Sequence, residues 1–267
     1  MRSIPADFDP DCVAAIDARL AGIGRDHEVA IPLAIESGSR AWGFPSPDSD
    51  YDCRFLFVRG ADDYLSPWPK RDVIETPLEG ELDLNGWELG KALKLLLKGN
   101  AVVIEWLTSP VVYGGDPAFR DEMTALAADF VSPHRVARHY LHLGERQRRT
   151  YFADGRAVKL KKIFYALRPA AALRWLRLHP GEAIAPMHFP TLMAGCDPPA
   201  EVATIAAELI ARKAVTRELG STPLPRPIEA FIDAEFALAD EMPPVRTTLS
   251  AEAKRAAEAL FRNWVRA

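Results

Sequence analysis

The sequence has little of what builds a disulfide scaffold or a thiolate metal site: three cysteines in 267 residues, Cys12, Cys53 and Cys196, none in C-x-x-C spacing. They read as structural thiols. It also lacks any apolar run approaching the roughly 18 to 20 residues of a membrane span. Its first residues, MRSIPADFDPDC, carry acids where a signal peptide needs a cationic and then an apolar stretch. These features predict a cytoplasmic protein with no membrane partner. A surplus of positive charge is missing as well. The 33 Lys+Arg stand against 37 Asp+Glu, a formal net charge of -4, so the chain as a whole is not a basic nucleic-acid packing protein. Internal repeats and low-complexity tracts are absent from the sequence.

What is present is a foldable composition, 48% hydrophobic and 26% charged, which excludes disorder and leaves room for one large domain or two small ones. The charge is unevenly spread. Through Pro110 there are 11 basic and 19 acidic residues (11 - 19 = -8), leaving 22 and 18 afterwards (+4). Between Arg135 and Arg177, 12 Arg/Lys face only Glu145 and Asp154. That stretch is a candidate phosphate-binding surface.

Apolar spacing predicts a leading helix over 11–22, capped by Asp9 or Asp11 and stopped at Gly22 or Gly24. Residues 29–35 and 51–58 read as buried strands, with Pro32 arguing for an edge or a bulge in the first. A turn-rich loop at 43–49 separates them. Further extended pieces are expected at 71–76 and 81–85, and helices at 89–97 and 102–107. A Pro/Gly-punctuated connection at 109–117 then divides the chain into domains 1–112 and 113–267. The second domain is helical by period, beginning where Ser132 caps and Pro133 takes the first helical position. Its clearest later helices are expected at 201–219 and 251–265, with a stiff linker at 221–227.

The chemistry concentrates in the first domain. Gly38-Ser39 stands at a strand exit, where a missing Cβ lets backbone approach a phosphate and the following short helix aims N–H groups at it. Ten residues on comes Asp50-Tyr51-Asp52, whose two carboxylates share one strand face about 7 Å apart. Asp83, between Leu82 and Leu84, lies on a neighbouring expected strand. Three clustered acids repel one another and raise their own pKa values, so hard divalent ions are the natural compensation.

This constellation, residues 35–39 (IESGS) with Asp50-Tyr51-Asp52 and Asp83 as third acid, resembles the Gly-Ser and Asp-x-Asp motif of the DNA polymerase β-like nucleotidyltransferase superfamily. More closely, ESGSRAWGFPSPDSDYDCRFLFV, DLNGWELGKALKLLLKGN and VKLKKIFYALRP resemble a bacterial family of predicted nucleotidyltransferases found in some RNA-repair gene clusters. The resemblance runs from about Val29 to Trp175. It implies an α+β fold, a small mixed-sheet catalytic domain followed by a helical one. It also implies an ATP-type NTP substrate and two Mg²⁺ ions, or Mn²⁺, held by Asp50, Asp52 and Asp83. The third acid contacts the metal that activates the attacking hydroxyl, and pyrophosphate leaves.

In the segment 158–169, Lys161, Tyr165 and Arg168 fall together opposite an apolar face of Leu160, Ile163, Phe164 and Leu167. With Gly38, Ser39 and Arg40 they are candidate nucleotide contacts: Lys161 or Arg168 on phosphate, Tyr165 on a base or ribose hydroxyl. A solvated cationic face explains the same pattern. Pro169 should stop or kink this helix. Arg146, Arg148 and Arg149, with Arg138 nearby, are candidate RNA contacts, and ion pairing between domains is the rival reading. His139, His142 and Glu145 share a helix side but lack a fourth ligand for zinc. Trp42, Trp87, Trp106 and Trp175 read as core. The expected activity is nucleotide transfer to an RNA end; a protein side chain, a small hydroxyl compound, or a non-catalytic nucleotide-binding module are the alternatives.

Overall fold

A computed structural model describes residues 1–152, 158–216, 221–244 and 248–266 of the protein, with the backbone alone at 158–161 and 221–222. The chain opens with α1 (Pro10–Asp26), where the Asp9 carboxylate accepts the Asp11 and Cys12 N–H groups and Pro10 takes the first turn. The helix runs past Gly22 and Gly24, where local sequence predicts a stop. Its apolar stripe of Val13, Ile16 and Ile23 continues across both, and burial outweighs the roughly 1 kcal/mol cost of a helical glycine.

Then follow β1 (Val29–Glu36), α2 (Gly38–Ala41), β2 (Tyr51–Arg59), α3 (Ala61–Leu65), β3 (Val73–Glu75), β4 (Leu82–Glu88), α4 (Leu89–Leu97), α5 (Ala101–Thr108) and β5 (Val112–Gly115). The five strands form one mixed sheet in the order β3-β4-β2-β1-β5. Only the β2–β4 pairing is parallel. The β1 register shifts between Ala30 and Leu33, the bulge that Pro32 requires. The expected connection at 109–117 contains β5, so the sheet extends to Gly115, past the expected boundary at residue 112. Two closing glycines disguise that strand.

Alternation along β2 sends Cys53, Phe55 and Phe57 to one face, where they meet α1 residues Val13, Ile16 and Ile23. Leu56 and Val58 point to the other face, into a core that continues without a break through the helical half to Leu260. Asp50, Asp52 and Arg54 have the parity of Leu56, so they emerge on this helical side.

The helical half comprises α6 (Pro117–Phe130), α7 (Pro133–Tyr151), β6 (Val158–Lys159), α8 (Leu160–Leu178), α9 (Phe189–Cys196), α10 (Ala200–Val215), β7 (Ser221–Thr222), α11 (Arg226–Asp240) and α12 (Ala251–Arg266). Strands β6 and β7 pair with each other, β7 occupying the start of the expected linker. Helix α8 continues through Pro169 to Leu178 instead of ending there. Buried Ala166, Leu167 and Ala170 to Ala172 press it against α7 and α11, and that packing offsets the hydrogen bond proline forfeits. Helix α12 packs on both halves, its Phe261 ring 4.9 Å from Tyr64 of α3 and its Trp264 ring 4.9 Å from Phe119 of α6. Among the described residues no helix is long and apolar enough to cross a membrane.

Among the polar groups that link the halves are Glu105, in the core, and half-buried His139. Glu105 on α5 is buried and accepts from Tyr140 Oη on α7 at 3.0 Å and from the buried Arg168 guanidinium on α8. Glu105→Ala should destabilise the protein by about 3 to 5 kcal/mol, read from urea unfolding, because it strands a buried guanidinium. His139 Nδ1 accepts the Ala101 N–H that opens α5, at 3.3 Å, a job for the neutral ring. Burial holds this imidazole below its ordinary 6.5, although Glu105 pulls the other way. The folded state therefore binds the proton less well, and the contribution is intact above about pH 6.5 and lost as pH falls through the lowered value. Between about pH 7.5 and about pH 5 the urea midpoint of His139→Gln should fall less than that of the wild type.

Candidate active site

The β2–β4 register places Asp52 directly opposite Asp83. Neighbouring strands lie about 4.8 Å apart, so the two carboxylates meet. Arg54 stands between them, its Nη2 3.0 Å from Asp52 Oδ1 and 2.8 Å from Asp83 Oδ2. Its Nη1 donates to the Cys53 carbonyl at 3.0 Å and the Asp83 carbonyl at 2.9 Å. Asn85 Nδ2 donates to Asp83 Oδ1 at 2.7 Å. Asp50 lies one residue before β2 and is exposed at the mouth of the cluster. Burial raises the Asp52 carboxyl above its ordinary value; Arg54 opposes the rise, and Asp83 and Asp50 add to it. The three acids thus share one electrostatic neighbourhood. As the side chains stand, no three His, Cys, Asp or Glu among the described residues group as a metal cage.

Gly38 closes the cluster on the β1 side. Its φ is +60°, and a Cβ there would lie 1.9 Å from Asp52 Oδ2. The glycine is therefore required first by the carboxylate packed against it, whereas the sequence pattern points to a phosphate. Ser39 Oγ donates to Ser49 Oγ at 2.9 Å, and Ser49 Oγ accepts the Ser46 N–H at 2.8 Å, so the serines knit the loop between α2 and β2. Arg40 is turned differently from its expected role. Its Nε and Nη2 donate to the carbonyls of Asp50 and Ser49, and its guanidinium lies 3.8 Å from the Tyr51 ring centroid. It clamps the chain just ahead of β2.

Beneath the acids, on the α1 side of the sheet, lies Glu36, fully buried. Its carboxylate accepts the Asp52 N–H at 2.8 Å and the Tyr113 hydroxyl. Burial pushes Glu36 up to about 8 in spite of these two donors. Motif and spacing assign no role to Glu36, Arg54, Asn85 or Tyr113. For Arg54 a signal does exist: it follows Asp52 by two and so shares its strand face.

The helical half meets α2 at Trp42, the residue after that helix. Tyr165 meets Trp42 edge-on with ring centroids 6.3 Å apart, and the Arg168 guanidinium lies 4.1 Å from the Trp42 ring. Arg168 is thus brought beside Trp42, but its charge is buried and bound to Glu105 instead of open to a phosphate. The side chain of Lys161 lies outside those described. Lys162, which helical spacing does not single out, sits between the rings of Tyr151 and Tyr165 at 4.2 and 4.6 Å. Farther out, Arg148 pairs with Asp233 at 2.5 Å, Arg138 pairs with Asp240 at 3.7 Å, and Arg146 and Arg149 are exposed. Arg174 and Arg177 both bind buried Glu235. Much of the basic stretch therefore serves ion pairing within the helical half.

Gly38→Ala should displace the Asp52 carboxylate and strain the turn, a cost of about 1 to 3 kcal/mol that a thermal melt will register while the far-ultraviolet dichroism stays native. Ser39→Ala removes one hydroxyl contact and should cost about 1 kcal/mol or less.

Similarity to known proteins bears on this geometry. A family model described as the RNA repair pathway DNA polymerase beta family, RlaP, matches residues 13–263. The chain is also 39% identical over 214 residues to the uncharacterized protein YcgL of Bacillus subtilis (strain 168), covering 80% of this chain and 81% of that protein. The family match spans both the sheet with its three acids and the helical half that packs on it, and the chain belongs to the RNA repair pathway DNA polymerase beta family.

Proposed function

We propose that the chain is a metal-dependent nucleotidyltransferase that moves a nucleoside monophosphate from an NTP to an acceptor hydroxyl, releasing pyrophosphate, and that the acceptor is an RNA end. The observation that carries this reading is register: Asp52 and Asp83 face each other on parallel neighbours, with Asp50 at the mouth and Gly38 against the Asp52 carboxylate. Family membership supports the same chemistry, and a family described by an RNA repair pathway favours RNA over a protein side chain or a small hydroxyl compound.

The donor set suits a hard divalent ion. Its candidate ligands are all carboxylate oxygens, the oxygen donors that a hard ion prefers; burial raises the Asp52 carboxyl, Arg54 opposes the rise, and Asp83 and Asp50 add to it. Asp50, Asp52 and Asp83 would hold two Mg²⁺, or Mn²⁺ in their place. Bound there, the ions supply positive charge for the triphosphate and a lowered pKa for the attacking hydroxyl. The protein contributes position. The β2–β4 ladder fixes Asp52 and Asp83, Arg40 and the three serines shape the loop that precedes Asp50, and Gly38 leaves room for the Asp52 carboxylate against the turn. Tyr165 and Lys161 stand as nucleotide contacts from α8. Arg168 supports them from behind Trp42, and exposed Arg146 and Arg149, with Arg148 beside them, offer phosphate contacts to an RNA strand.

Incubating the protein with each labelled NTP, Mg²⁺ or Mn²⁺, and pooled RNA, protein and metabolites should put label into RNA. Label in protein or metabolites instead would move the acceptor to those classes, and no incorporation from any NTP would refute the transferase. Asp52→Asn and Asp83→Asn should each lower turnover by about 100-fold or more, roughly 3 kcal/mol of barrier. Replacing Arg146 and Arg149 by Ala should reduce the salt slope of RNA binding by about 1 for each phosphate deprived of its arginine, and leave NTP affinity unchanged.

A further inference from the structure

The guanidinium of Arg54 does in this structure what a bridging cation does. One nitrogen, Nη2, serves two carboxylates on different strands, Asp52 at 3.0 Å and Asp83 at 2.8 Å. The remaining oxygens have neighbours too: Asp83 Oδ1 accepts from Asn85, and Asp52 Oδ2 lies against Gly38. We infer that Arg54 is the resident counter-charge of the acid pair, that a divalent ion competes with it for Asp52 Oδ1 and Asp83 Oδ2, and that Arg54 thereby sets the metal affinity of the site. The inference rests on the metal-dependent reading above.

Three features support competition over simple scaffolding. A carboxylate oxygen that faces Nη2 cannot also face a divalent ion on the same side, since like charges would then lie within a few ångström. The ion pair is of a kind that can be displaced. Arg54, Asp52 and Asp83 keep 18%, 28% and 29% of their side-chain surface exposed, whereas Arg168 and Glu105 keep 8% and 5%. A pair that keeps some contact with water costs less to open than one that is fully buried. Finally, Nη1 is anchored separately on the Cys53 and Asp83 carbonyls, so the arginine stays in the site when the carboxylates turn away. Its charge then remains beside whatever binds, and removing it both frees the oxygens and lifts a repulsion.

The test is calorimetric titration of MnCl₂ into nucleotide-free wild type, Arg54→Ala and Arg54→Gln. Both variants should bind Mn²⁺ about fivefold to tenfold more tightly than wild type. Equal or weaker binding in folded variants would mean that Arg54 orients the acids instead of competing, and would overturn the inference. Wild-type crystals soaked in MnCl₂ give a reading that does not depend on the variants folding. The anomalous peak should lie at Asp52 and Asp83 with Arg54 Nη2 beyond about 4 Å of both, the limit of an ion pair. A bound ion with the bridge intact refutes the proposal. Failure of the metal reading itself looks different: neither wild type nor variant then binds Mn²⁺ at all, and the inference falls with it.

Discussion

The parallel pairing of β2 with β4 is the constraint on which the rest of the site depends. It is the one parallel pair in a five-stranded sheet, and its register sets Asp52 against Asp83. Two like charges about 5 Å apart repel by roughly 3 kcal/mol at an effective dielectric of about 20, less whatever solvent screens. The fold tolerates this because a counter-charge and a hydrogen-bond donor come from the same two strands. Arg54 lies two residues beyond Asp52, Asn85 two beyond Asp83, and alternation puts all four on one face. A slip of β4 against β2 by one residue would send Asp83 and Asn85 into the α1 core and away from Asp52 and Arg54.

Support for the acids comes from the opposite face. Glu36 is buried beneath β2 and holds the Asp52 N–H, while its own backbone carbonyl accepts Ser109 Oγ at 2.7 Å and its carboxylate accepts Tyr113. One buried side chain thereby ties together β1, β2 and β5. Such a group is expensive to bury unless its bonds are made, and its presence under the acids commits the sheet to one geometry there.

The three acids, the Gly-Ser turn, most of the elements and the mixed α+β character are legible in the sequence, because period and turn chemistry are local. What stays hidden is non-local. Arg168 has the spacing of a nucleotide contact, yet Glu105, 63 residues away, claims it. Gly38 looks like a phosphate-binding glycine, and its nearest obligation is to Asp52. Strand β5 ends in two glycines and gains its order from β1, which no local propensity reveals. Pro169 breaks helices in isolation, but in α8 it is enclosed by alanine-rich packing that a single-helix view omits.

The same non-local contacts show what the helices do for a sheet with a half-buried acid cluster. The loop after α2 is gripped from three directions by the helical half. Phe164 of α8 stacks on Phe44 with ring centroids 4.4 Å apart, the Phe189 N–H donates to the Trp42 carbonyl at 2.8 Å, and Lys213 of α10 donates to the Phe44 carbonyl at 2.6 Å. At Gly43, with φ +81°, a Cβ would meet His188 Nε2 at 2.4 Å, so this residue is glycine both for its backbone and for that contact. Any shift of α8, α9 or α10 therefore reaches the loop that ends at Asp50. The helical half thereby holds the start of the loop that leads to Asp50, and the loop's geometry is as much a property of α8, α9 and α10 as of its own turn-forming sequence.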